Sequence, residues 1–587
     1  QDLRAVVAGQ PISLRSDRAY RTGLFLRRHK LSVAAATLAA LGLIATTGWA
    51  LWQTRQARQE AMASENVSEL LISAFDAANP ATRQADHEPT AVDVLDASAA
   101  SVSETLAETP ALRARMQLLL GRAYSGIGYR EKSAQLLNTS IQAFLTPEVN
   151  DPHQAAEALS ALASVEYDLE HRDRGASLAR RAYEMRKRYG ASPKEMMQSS
   201  ELLAAMLMGA SDFDQAERLM ISNKALITDV YGDPSLELAG ALTDLGVLGN
   251  LSGQVRKGES QLRASLSMKK ALKANTAAVL ASSSNLAISL RRLGRFREAE
   301  ALHLENMKLT RAAYPVNSTY MANQLDRLGS IYRDKGDLVR AQRAYERAIA
   351  SANASQSTDR AFAALLMTYL AEVQDGRGDI EEAARNYRTA AEILNSAPDV
   401  GERMKLRAAT VYDAFLARRG RGGLKRERLD SLLRDWLAFY KPEARRHSPP
   451  ELAEAQFLDA EYRIATGRLD SVEASLPKFD PDPDQPLQQA RRHYLLAKMH
   501  MARRDGKSAM REFDDALRIA DAVAGRQAVF GAGWRLDYAE LLADNQMSED
   551  ARSQIALAGP VLRQQMVPAS PSLVRLQNLE TRLGTPH

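Results

Sequence analysis

The 587-residue sequence contains no cysteine, and only 6% of its residues are aromatic. The missing cysteine excludes disulfide bonds, thiolate metal ligands and a cysteine nucleophile. Runs of β-branched residues are rare, whereas Ala, Leu and Arg abound. This composition is typical of helices that pack closely on small side chains, and the chain is too long for one compact core. We therefore predict an all-α protein with several domains or a repetitive array.

A uniformly basic surface is also missing. The formal net charge is +5, but residues 1–30 alone carry +5 and residues 401–446 carry +7, which leaves −7 for the remainder. A protein that coats nucleic acid would spread its basic residues along the binding face, so we expect no nucleic-acid partner. The basic stretch at 401–446 fits a solvated connector. Its alternative is a site where clustered Arg residues hold an anionic partner, whether a lipid headgroup, a polysaccharide or a nucleic acid.

Two short matches to catalytic motifs fail on their surroundings. HRD at 171–173 matches the core of a kinase catalytic loop, but Leu178 stands where that loop needs its metal-binding Asn. GKS at 506–508 matches the end of a phosphate loop, but Met501 replaces the required first Gly. The nine histidines show no ligand spacing. We therefore expect no catalytic, cofactor-binding or metal-binding residue in this chain.

One long hydrophobic run is present, LSVAAATLAALGLIATTGWALW at residues 31–52. Its length allows a helix to cross a hydrocarbon layer of ~30 Å. Basic residues precede it, and Trp49 and Trp52 close it at the far interface. We predict a single-pass helix in the inner (cytoplasmic) membrane, with a cytoplasmic N-terminus and a periplasmic or extracellular remainder. The alternative is a secretory signal peptide, whose apolar middle is shorter and ends at a small-x-small cleavage site.

A repeat with a period of about 42 residues extends along most of the chain. A small residue that follows an apolar one recurs at Gly121, Ala163, Ala204, Gly246, Ala287, Gly329, Ala371, Ala497 and Ala539, with weaker matches at Asp413 and Ala460. A second small residue follows most of these positions twelve residues later, and a bulkier one four residues after that. Antiparallel helices approach closely only where small side chains face each other. In LGSIYRDKGDLVRAQRAYERAIA (328–350), this spacing predicts two helices joined by a tight turn.

The repeat resembles the tetratricopeptide repeat (TPR) in a lengthened form. The resemblance covers about 111–566, roughly eleven repeats, and is most specific in NLAISLRRLGRFREAEAL, LGSIYRDKGDLVRAQRAYERAIA and LAEVQDGRGDIEEAARNYRTAAE. It implies an α-solenoid of helical hairpins whose concave face, lined by the first helix of each pair, binds an extended protein or peptide ligand. By repeat register, the candidate partner-binding residues are Asn250, Arg291, Asn323, Asp326, Arg333, Arg491, Tyr494 and Lys498.

The register weakens after Asp413, where Gly, Arg and Pro interrupt it, and resumes at Ala460. We therefore divide the chain into a basic juxtamembrane segment (1–30), a transmembrane helix (31–52), a helical linker (53–110), a TPR array (111–412), a divergent basic repeat or connector (413–459), C-terminal TPR repeats (460–566) and a tail (567–587).

The first 145 residues resemble a junction in bacterial membrane-anchored serine/threonine protein kinases that carry TPR arrays. The resemblance rests on DLR and AGQP near the start, the aromatic-basic segment 20–30, the membrane span, and then LLISAFDAANP, TAVDVLDASAASV and TPALRARMQLLLGRAYSGIGY. It implies a kinase domain upstream of Gln1 and absent from this chain. That domain would use ATP and Mg to phosphorylate Ser or Thr hydroxyls. None of its functional residues maps onto this sequence.

These resemblances imply the membrane-anchored interaction or sensor region of a receptor-like kinase, which binds protein or peptide partners in signal transduction. Partner binding outside would change the spacing of the anchors, for instance in a homodimer, and shift the kinase toward activity. The alternative is a non-enzymatic membrane-tethered TPR scaffold for envelope assembly or secretion. A third reading, the sensor arm of a transcriptional regulator, is disfavoured by the membrane span.

Overall fold

The computed structural model describes residues 90–315, 318–354, 360–397, 400–420, 426–440, 449–478 and 484–584. These ranges contain helices and no strand, which confirms the predicted all-α class for the described chain. Among them, no helix has both the length and the apolar character needed to span a membrane. The predicted transmembrane segment 31–52 lies outside the described residues. The chain divides into two compact units, residues 1–150 and 151–587.

In the first unit, the described residues form α1 (Ala91–Thr105), α2 (Pro110–Gly126) and α3 (Arg130–Phe144). A capping box starts α1, because Thr90 and Asp93 each accept a hydrogen bond from the other's backbone N–H. The pair α2/α3 packs closely at Gly121, where a Cβ atom would lie 2.8 Å from Cγ of Leu137. The Ser133 hydroxyl donates to the Gly121 carbonyl at 2.6 Å and so joins the two helices.

The second unit continues as helix pairs. Their first helices are α4 (Pro152–Asp168), α6 (Pro193–Gly209), α8 (Leu236–Ser252), α10 (Thr276–Arg292), α12 (Thr319–Lys335), α14 (Arg360–Arg377), α16 (Glu402–Arg418), α18 (Pro450–Ala465), α20 (Pro486–Ala502) and α22 (Val529–Asp544). Their second helices are α5 (Arg172–Arg188), α7 (Phe213–Tyr231), α9 (Val255–Ala271), α11 (Phe296–Ala313), α13 (Leu338–Asn353), α15 (Ile380–Ser396), α17 (Arg426–Ala438), α19 (Val472–Ser475), α21 (Gly506–Ala524) and α23 (Ser548–Gln565). The described part ends with α24 (Pro571–Leu583).

The stretch 328–350 has the predicted structure of two helices and a tight turn. Gly336 ends α12 with φ of 81°, a left-handed conformation that favours glycine. Asp337 starts α13 by accepting the backbone N–H of Arg340 at 3.2 Å. Between the helices, a Cβ atom at Gly329 would lie 3.0 Å from the ring of the fully buried Tyr345. Gly329 of α12 and the ring of Tyr345 of α13 therefore pack directly against each other.

The repeating small residues are buried throughout the described repeats, from Ala163 to Ala539. The weakest match, Asp413, is also buried, and its carboxylate lies 2.8 Å from Nε of Arg428. At this position of the repeat, an ion pair therefore replaces the close helix–helix contact that Gly or Ala makes in the other repeats. Trp436 and Tyr440 are buried in the same region, as core residues of the α16–α18 cluster.

Three glycines bring α8 and α9 especially close together. A Cβ atom at Gly249 would lie 2.6 Å from Cα of Gly258, and one at Gly258 would lie 2.7 Å from the carbonyl oxygen of Gly246. These contacts are between backbones, which cannot rotate away as side chains can. Glycine is therefore required at this crossing by space rather than by backbone conformation.

Repeats far apart in the sequence also touch within the second unit. Val529 at the start of α22 donates its N–H to the carbonyl of Gly336 at 3.1 Å. Val567 donates to the carbonyl of Arg377 at 3.0 Å, and Nε of Arg377 donates to the carbonyl of Gln565, 188 residues along the chain. The turns that end α12 and α14 are therefore held against the C-terminal helices.

We predict that Gly249→Ala lowers the free energy of unfolding by about 1–3 kcal/mol, because the added methyl group overpacks a contact between backbones. Urea denaturation followed by helical circular dichroism measures this change. Gly240 lies in the same helix, and a Cβ atom there would meet nothing within 4 Å. As the matched control, Gly240→Ala should instead stabilise the protein by about 0.5–1 kcal/mol. Equal effects of the two substitutions would refute the proposed crossing.

Candidate ligand-binding cavity

Seven first helices, α10, α12, α14, α16, α18, α20 and α22, contribute to one cavity of about 610 Å³. This volume lies within the range of small-ligand sites. The wall combines arginines, carboxylates and aromatic rings. The arginines are Arg291, Arg292, Arg333, Arg407 and Arg491, the carboxylates are Asp334, Glu372, Glu451, Glu454 and Glu461, and the rings are Tyr369, Phe457, Tyr494, Phe530 and Trp534.

Ion pairs join successive first helices along one side of the wall. Asp334 of α12 pairs with Arg291 of α10 and with its neighbour Arg333, the latter at 3.1 Å. Arg333 also reaches Glu372 of α14 at 2.9 Å. Because Arg291, Asp334 with Arg333, and Glu372 lie on three different helices, the pairs between them form only in one relative position of those helices.

The series of pairs continues into α16 and α18. Arg407 of α16 lies 3.7 Å from Glu372 and 2.8 Å from Glu454 of α18. About two turns further along α18, Glu461 accepts from Arg491 of α20 at 2.6 Å and from Arg418 at 3.3 Å. Together with the pairs of α10–α14, these contacts form what we term the inner ladder.

The inner ladder sets the protonation of its carboxylates. Burial alone would raise the pKa of Asp334, but Arg291 and Arg333 outweigh it and the pKa is lowered. The same balance, with Arg491 and Arg418 as the cations, lowers the pKa of Glu461. At Glu372, burial outweighs the nearby cations and raises the pKa. The arginines of the inner ladder therefore favour the ionised carboxylate at Asp334 and Glu461, near its two ends, more than at Glu372 near its centre.

Arg292 differs from the other cavity arginines. Its Nη1 donates to the backbone carbonyl of Asn250, and within the described ranges no carboxylate forms an ion pair with it. Burial and, to a smaller extent, the adjacent Arg291 lower the pKa of Arg292 to about 9, while Glu451 and Asp334 act in the opposite direction. Glu451 itself pairs with Arg403 at 3.6 Å and accepts from the Tyr440 hydroxyl. The cavity thus has a partly buried guanidinium that forms no ion pair with a carboxylate of the described residues.

Aromatic rings from α20 and α22 meet at the cavity wall. Tyr494 stacks on Trp534 with ring centroids 4.8 Å apart and planes inclined by 12°. Phe530 lies 5.2 Å from Trp534. Such rings offer a broad apolar surface together with polar edges, which suits contact with apolar or aromatic groups. The wall therefore combines a cationic feature and an aromatic one.

Four of the predicted partner-binding residues line this cavity: Arg291, Arg333, Arg491 and Tyr494. Lys498 lies further along α20, where its ammonium pairs with Asp537 at 3.1 Å. The same carboxylate accepts from the Tyr494 hydroxyl at 2.7 Å. Partner binding by these side chains stays a prediction.

The other three predicted residues have local contacts. Asn250 is buried, donating to the carbonyl of Asn285 at 3.1 Å and accepting from the Ser289 hydroxyl at 2.8 Å. Asn323 donates to a carbonyl one turn back in its own helix. Asp326 has a buried carboxylate oxygen without a hydrogen-bond partner in the described structure. Burial raises the pKa of Asp326 against the influence of nearby arginines.

Sequence reasoning missed Arg292, Arg407 and Trp534. A usable signal was the recurrence of Arg and acidic residues on first helices at intervals close to the repeat period, as between Arg291 and Arg333. The convergence of α10 with α20 and α22 could not be found in this way, since it depends on how far the solenoid turns per repeat.

The motifs that resembled catalytic loops fall at helix starts. HRD occupies the start of α5, where Nδ1 of His171 lies 2.8 Å from Glu166. GKS occupies the start of α21, where Asp505 accepts the N–H of Ser508 at 3.1 Å. Across the described ranges, no group of three or more His, Asp or Glu side chains is placed to hold a metal ion.

We predict that Glu461→Gln lowers the free energy of unfolding at pH 7 by about 1–3 kcal/mol, because it removes the charged partner of two guanidinium groups. The lowered pKa of Glu461 means that its contribution is complete above the ordinary value of 4.5 and is lost as the pH falls through the lowered value. The difference between wild type and variant should therefore shrink in acid. Urea titrations over a pH series measure it.

The control for this variant is Glu382→Gln. Glu382 pairs with Arg385 within α15, and 47% of its side chain is exposed. Its removal should cost less than about 0.5 kcal/mol and show little dependence on pH. If both variants lost the same stability, the inner ladder would have no structural role beyond that of a surface pair.

The family model for the tetratricopeptide repeat matches residues 275–352 and, one repeat later, 319–396. No curated protein sequence matches the chain. Among solved structures, BtubC (BKLC) from P. vanneervenii is 21% identical, with a TM-score of 0.32 over 40% of this chain and 92% of its own. The apo quorum sensor NprR from B. thuringiensis is 12% identical (TM-score 0.38; 60% and 97%), and a Rap protein complexed with Competence and Sporulation Factor is 10% identical (TM-score 0.42; 67% and 100%). The family match shows that the chain contains TPR repeats, and the described residues form an all-helical array of repeated helix pairs.

Proposed function

We propose that the cavity of α10–α22 binds a segment of a protein or peptide partner that carries an acidic group and an apolar or aromatic side chain. The observation that carries the proposal is that Arg292 has no carboxylate partner among the described residues, whereas the other arginines of the same wall do. The family match supports it, because TPR arrays act as interaction surfaces and the match includes α10–α15.

Electrostatics gives Arg292 a reason to bind an anion. A cation that is partly removed from water without an ion-pair partner is destabilised, and burial depresses the pKa of this guanidinium to about 9. A ligand carboxylate would offset that cost and would form charge-assisted hydrogen bonds with the guanidinium. The remaining cavity arginines would have to break existing pairs to do the same.

The aromatic group of Tyr494, Phe530 and Trp534 supplies the second contact. A rigid stacked pair buries apolar surface without ordering long side chains, so little conformational entropy opposes binding. A peptide with an aromatic or large apolar residue near its acidic group would use both features. The distance between Arg292 and the aromatic group would then decide which peptides fit both features.

In its finer form, the proposal places this cavity in a receptor-like serine/threonine kinase, anchored in the inner membrane through residues 31–52 with the repeats outside. ATP and Mg would serve a kinase domain upstream of this chain. Support comes from the resemblance of residues 1–145 and from the uncharged run at 31–52. Deleting 111–566 from the full-length protein tests it, since unchanged kinase activity and unchanged response to stimuli would contradict a sensor role. The alternative remains a membrane-tethered scaffold without a kinase.

We predict that the purified full chain binds N-acetyl-phenylalanine more tightly than N-acetyl-phenylalaninamide, which differs only in lacking the carboxylate. Arg292→Gln should weaken binding of the carboxylate probe by about tenfold or more, since a hydrogen bond to a charged group contributes about 1.5–3 kcal/mol. Trp534→Leu should weaken both probes. Isothermal titration calorimetry measures the affinity of each probe for the wild-type chain and for the two variants.

Arg297→Gln is the matched control, because Arg297 is exposed on α11 and its loss changes the net charge equally. It should leave both affinities unchanged. The proposal fails if Arg292→Gln binds the carboxylate probe as wild type does, or if Arg297→Gln weakens binding as much.

A further inference from the structure

In the second unit, the turns between paired helices contact parts of the chain that come much later in the sequence. After α4, the carboxylate of Glu170 lies so close to Gly401, before α16, that a Cβ atom on Gly401 would overlap it. At the start of α9, the backbone N–H of Arg256 donates to the carboxylate of Asp484, 228 residues later, at 3.0 Å. The Arg256 guanidinium lies 3.4 Å from the same carboxylate. Polar contacts thus join two separate stretches of the array.

The corresponding contact after α10 is apolar. A Cβ atom on Gly294 would overlap Cγ1 of Val523, near the end of α21. Val523 and Leu487 pack against a buried cluster that includes Leu290 of α10 and Phe296 of α11. Apolar side chains therefore exclude water from the contact of α10 and α11 with α20 and α21.

The turns after α12 and α14 continue this line of contacts. Besides the hydrogen bond from Val529 to Gly336, Oε1 of Gln565 accepts the backbone N–H of Val339 at 3.2 Å. A Cβ atom on Gly378 would overlap Cβ of Ser570. We term five of these contacts the seam: Glu170–Gly401, Arg256–Asp484, Gly294–Val523, Gly336–Val529 and Gly378–Ser570.

The turns after α16 and α18 lie outside the seam. A Cβ atom on Gly420 or Gly467 would meet no atom within 4 Å in the described structure. Contact with later chain is therefore no general property of these turns. It occurs where one circuit of the array lies against the next.

The seam closes the wall around the cavity of α10–α22. Both α12 and α22 line this cavity, and the start of α22 is hydrogen-bonded to the turn that ends α12. In a solenoid whose circuits stand apart, the middle of a long chain enters the concave surface from the side. Here the contacts of the seam occupy that side entrance. The remaining route into the cavity runs along the axis of the array.

We propose that the cavity of α10–α22 admits a partner segment only next to a free chain end, and excludes a segment that has folded protein on both sides. This inference rests on the proposed function and adds which part of a partner reaches the site. The cavity of about 610 Å³ has the volume of a small-ligand site, so it holds a few residues of one strand and not both strands of a loop. An internal segment would have to pass through the seam.

The experiment uses one synthetic peptide in three forms. Its centre is Phe-Asp, which supplies the aromatic ring and the carboxylate of the proposed ligand, and long flexible Gly/Ser spacers follow on both sides. The forms carry biotin at neither end, at one end or at both ends, and monovalent streptavidin is bound to each biotin as a stopper. Biolayer interferometry with the immobilised full chain measures the association rates.

The free and one-stopper forms should associate at similar rates. The two-stopper form should associate more slowly by about tenfold or more, because its binding requires a conformational change that opens the seam. The spacers keep both stoppers away from the protein surface, so a groove open at the side would bind all three forms alike.

A variant that opens the seam should remove this difference. Val523→Asp places a charge in the apolar part of the seam and changes no residue of the cavity wall. The two-stopper form should then associate nearly as fast as the one-stopper form. Val574→Asp is the matched control, because Val574 is 51% exposed on α24. It should leave the two-stopper form as slow as with wild type. Helical circular dichroism verifies that both variants are folded.

Two results would overturn this inference and leave the proposed function intact. The first is an equal association rate of the one-stopper and two-stopper forms with the wild-type chain. The second is a slow two-stopper form whose rate stays unchanged in folded Val523→Asp, which would indicate a clash with streptavidin itself. If the free form does not bind, the proposed function fails, and this inference fails with it.

Discussion

The close approach of paired helices at small residues is the contact on which the structure depends. Where Gly or Ala faces the partner helix, the two backbones come near enough for a bulky side chain such as Leu262 or Tyr345 to fill the adjoining groove. That geometry fixes the angle within each hairpin. Since each repeat packs mainly on its neighbours, small differences in that angle add along the array and decide which first helices share a cavity.

The cavity wall contains both the ion pairs of the inner ladder and Arg292, which has no carboxylate partner among the described residues. Partly buried pairs contribute less to stability than their short distances suggest, because desolvation opposes the Coulomb attraction. Their partners lie on successive helices, so they specify the relative position of those helices. Arg292 has no such partner among the described residues, and we propose that its charge serves a ligand.

The sequence predicted the local structure well and the assembled surface only in part. Helical periodicity, Gly336 and Asp337 were sufficient to place α12, the turn and α13, because these depend on contacts within one repeat. Of the residues that were selected by repeat register, Arg291, Arg333, Arg491 and Tyr494 line the cavity. It also selected Asn250, whose side chain instead joins α8 to α10 by hydrogen bonds. Register places a residue on a helix, but the neighbouring repeat decides whether its side chain faces a cavity or a partner helix.

The hydrogen bond from Val529 to Gly336 has a consequence for how such a protein can change its length. Open arrays of repeats gain or lose whole units easily, since every new unit meets the same neighbours. Here, an extra hairpin between α13 and α21 would preserve each local crossing and still carry Val529 away from the turn that it contacts. The number of units in this stretch is therefore fixed by the path of the chain, in the way that the number of strands is fixed in a closed barrel.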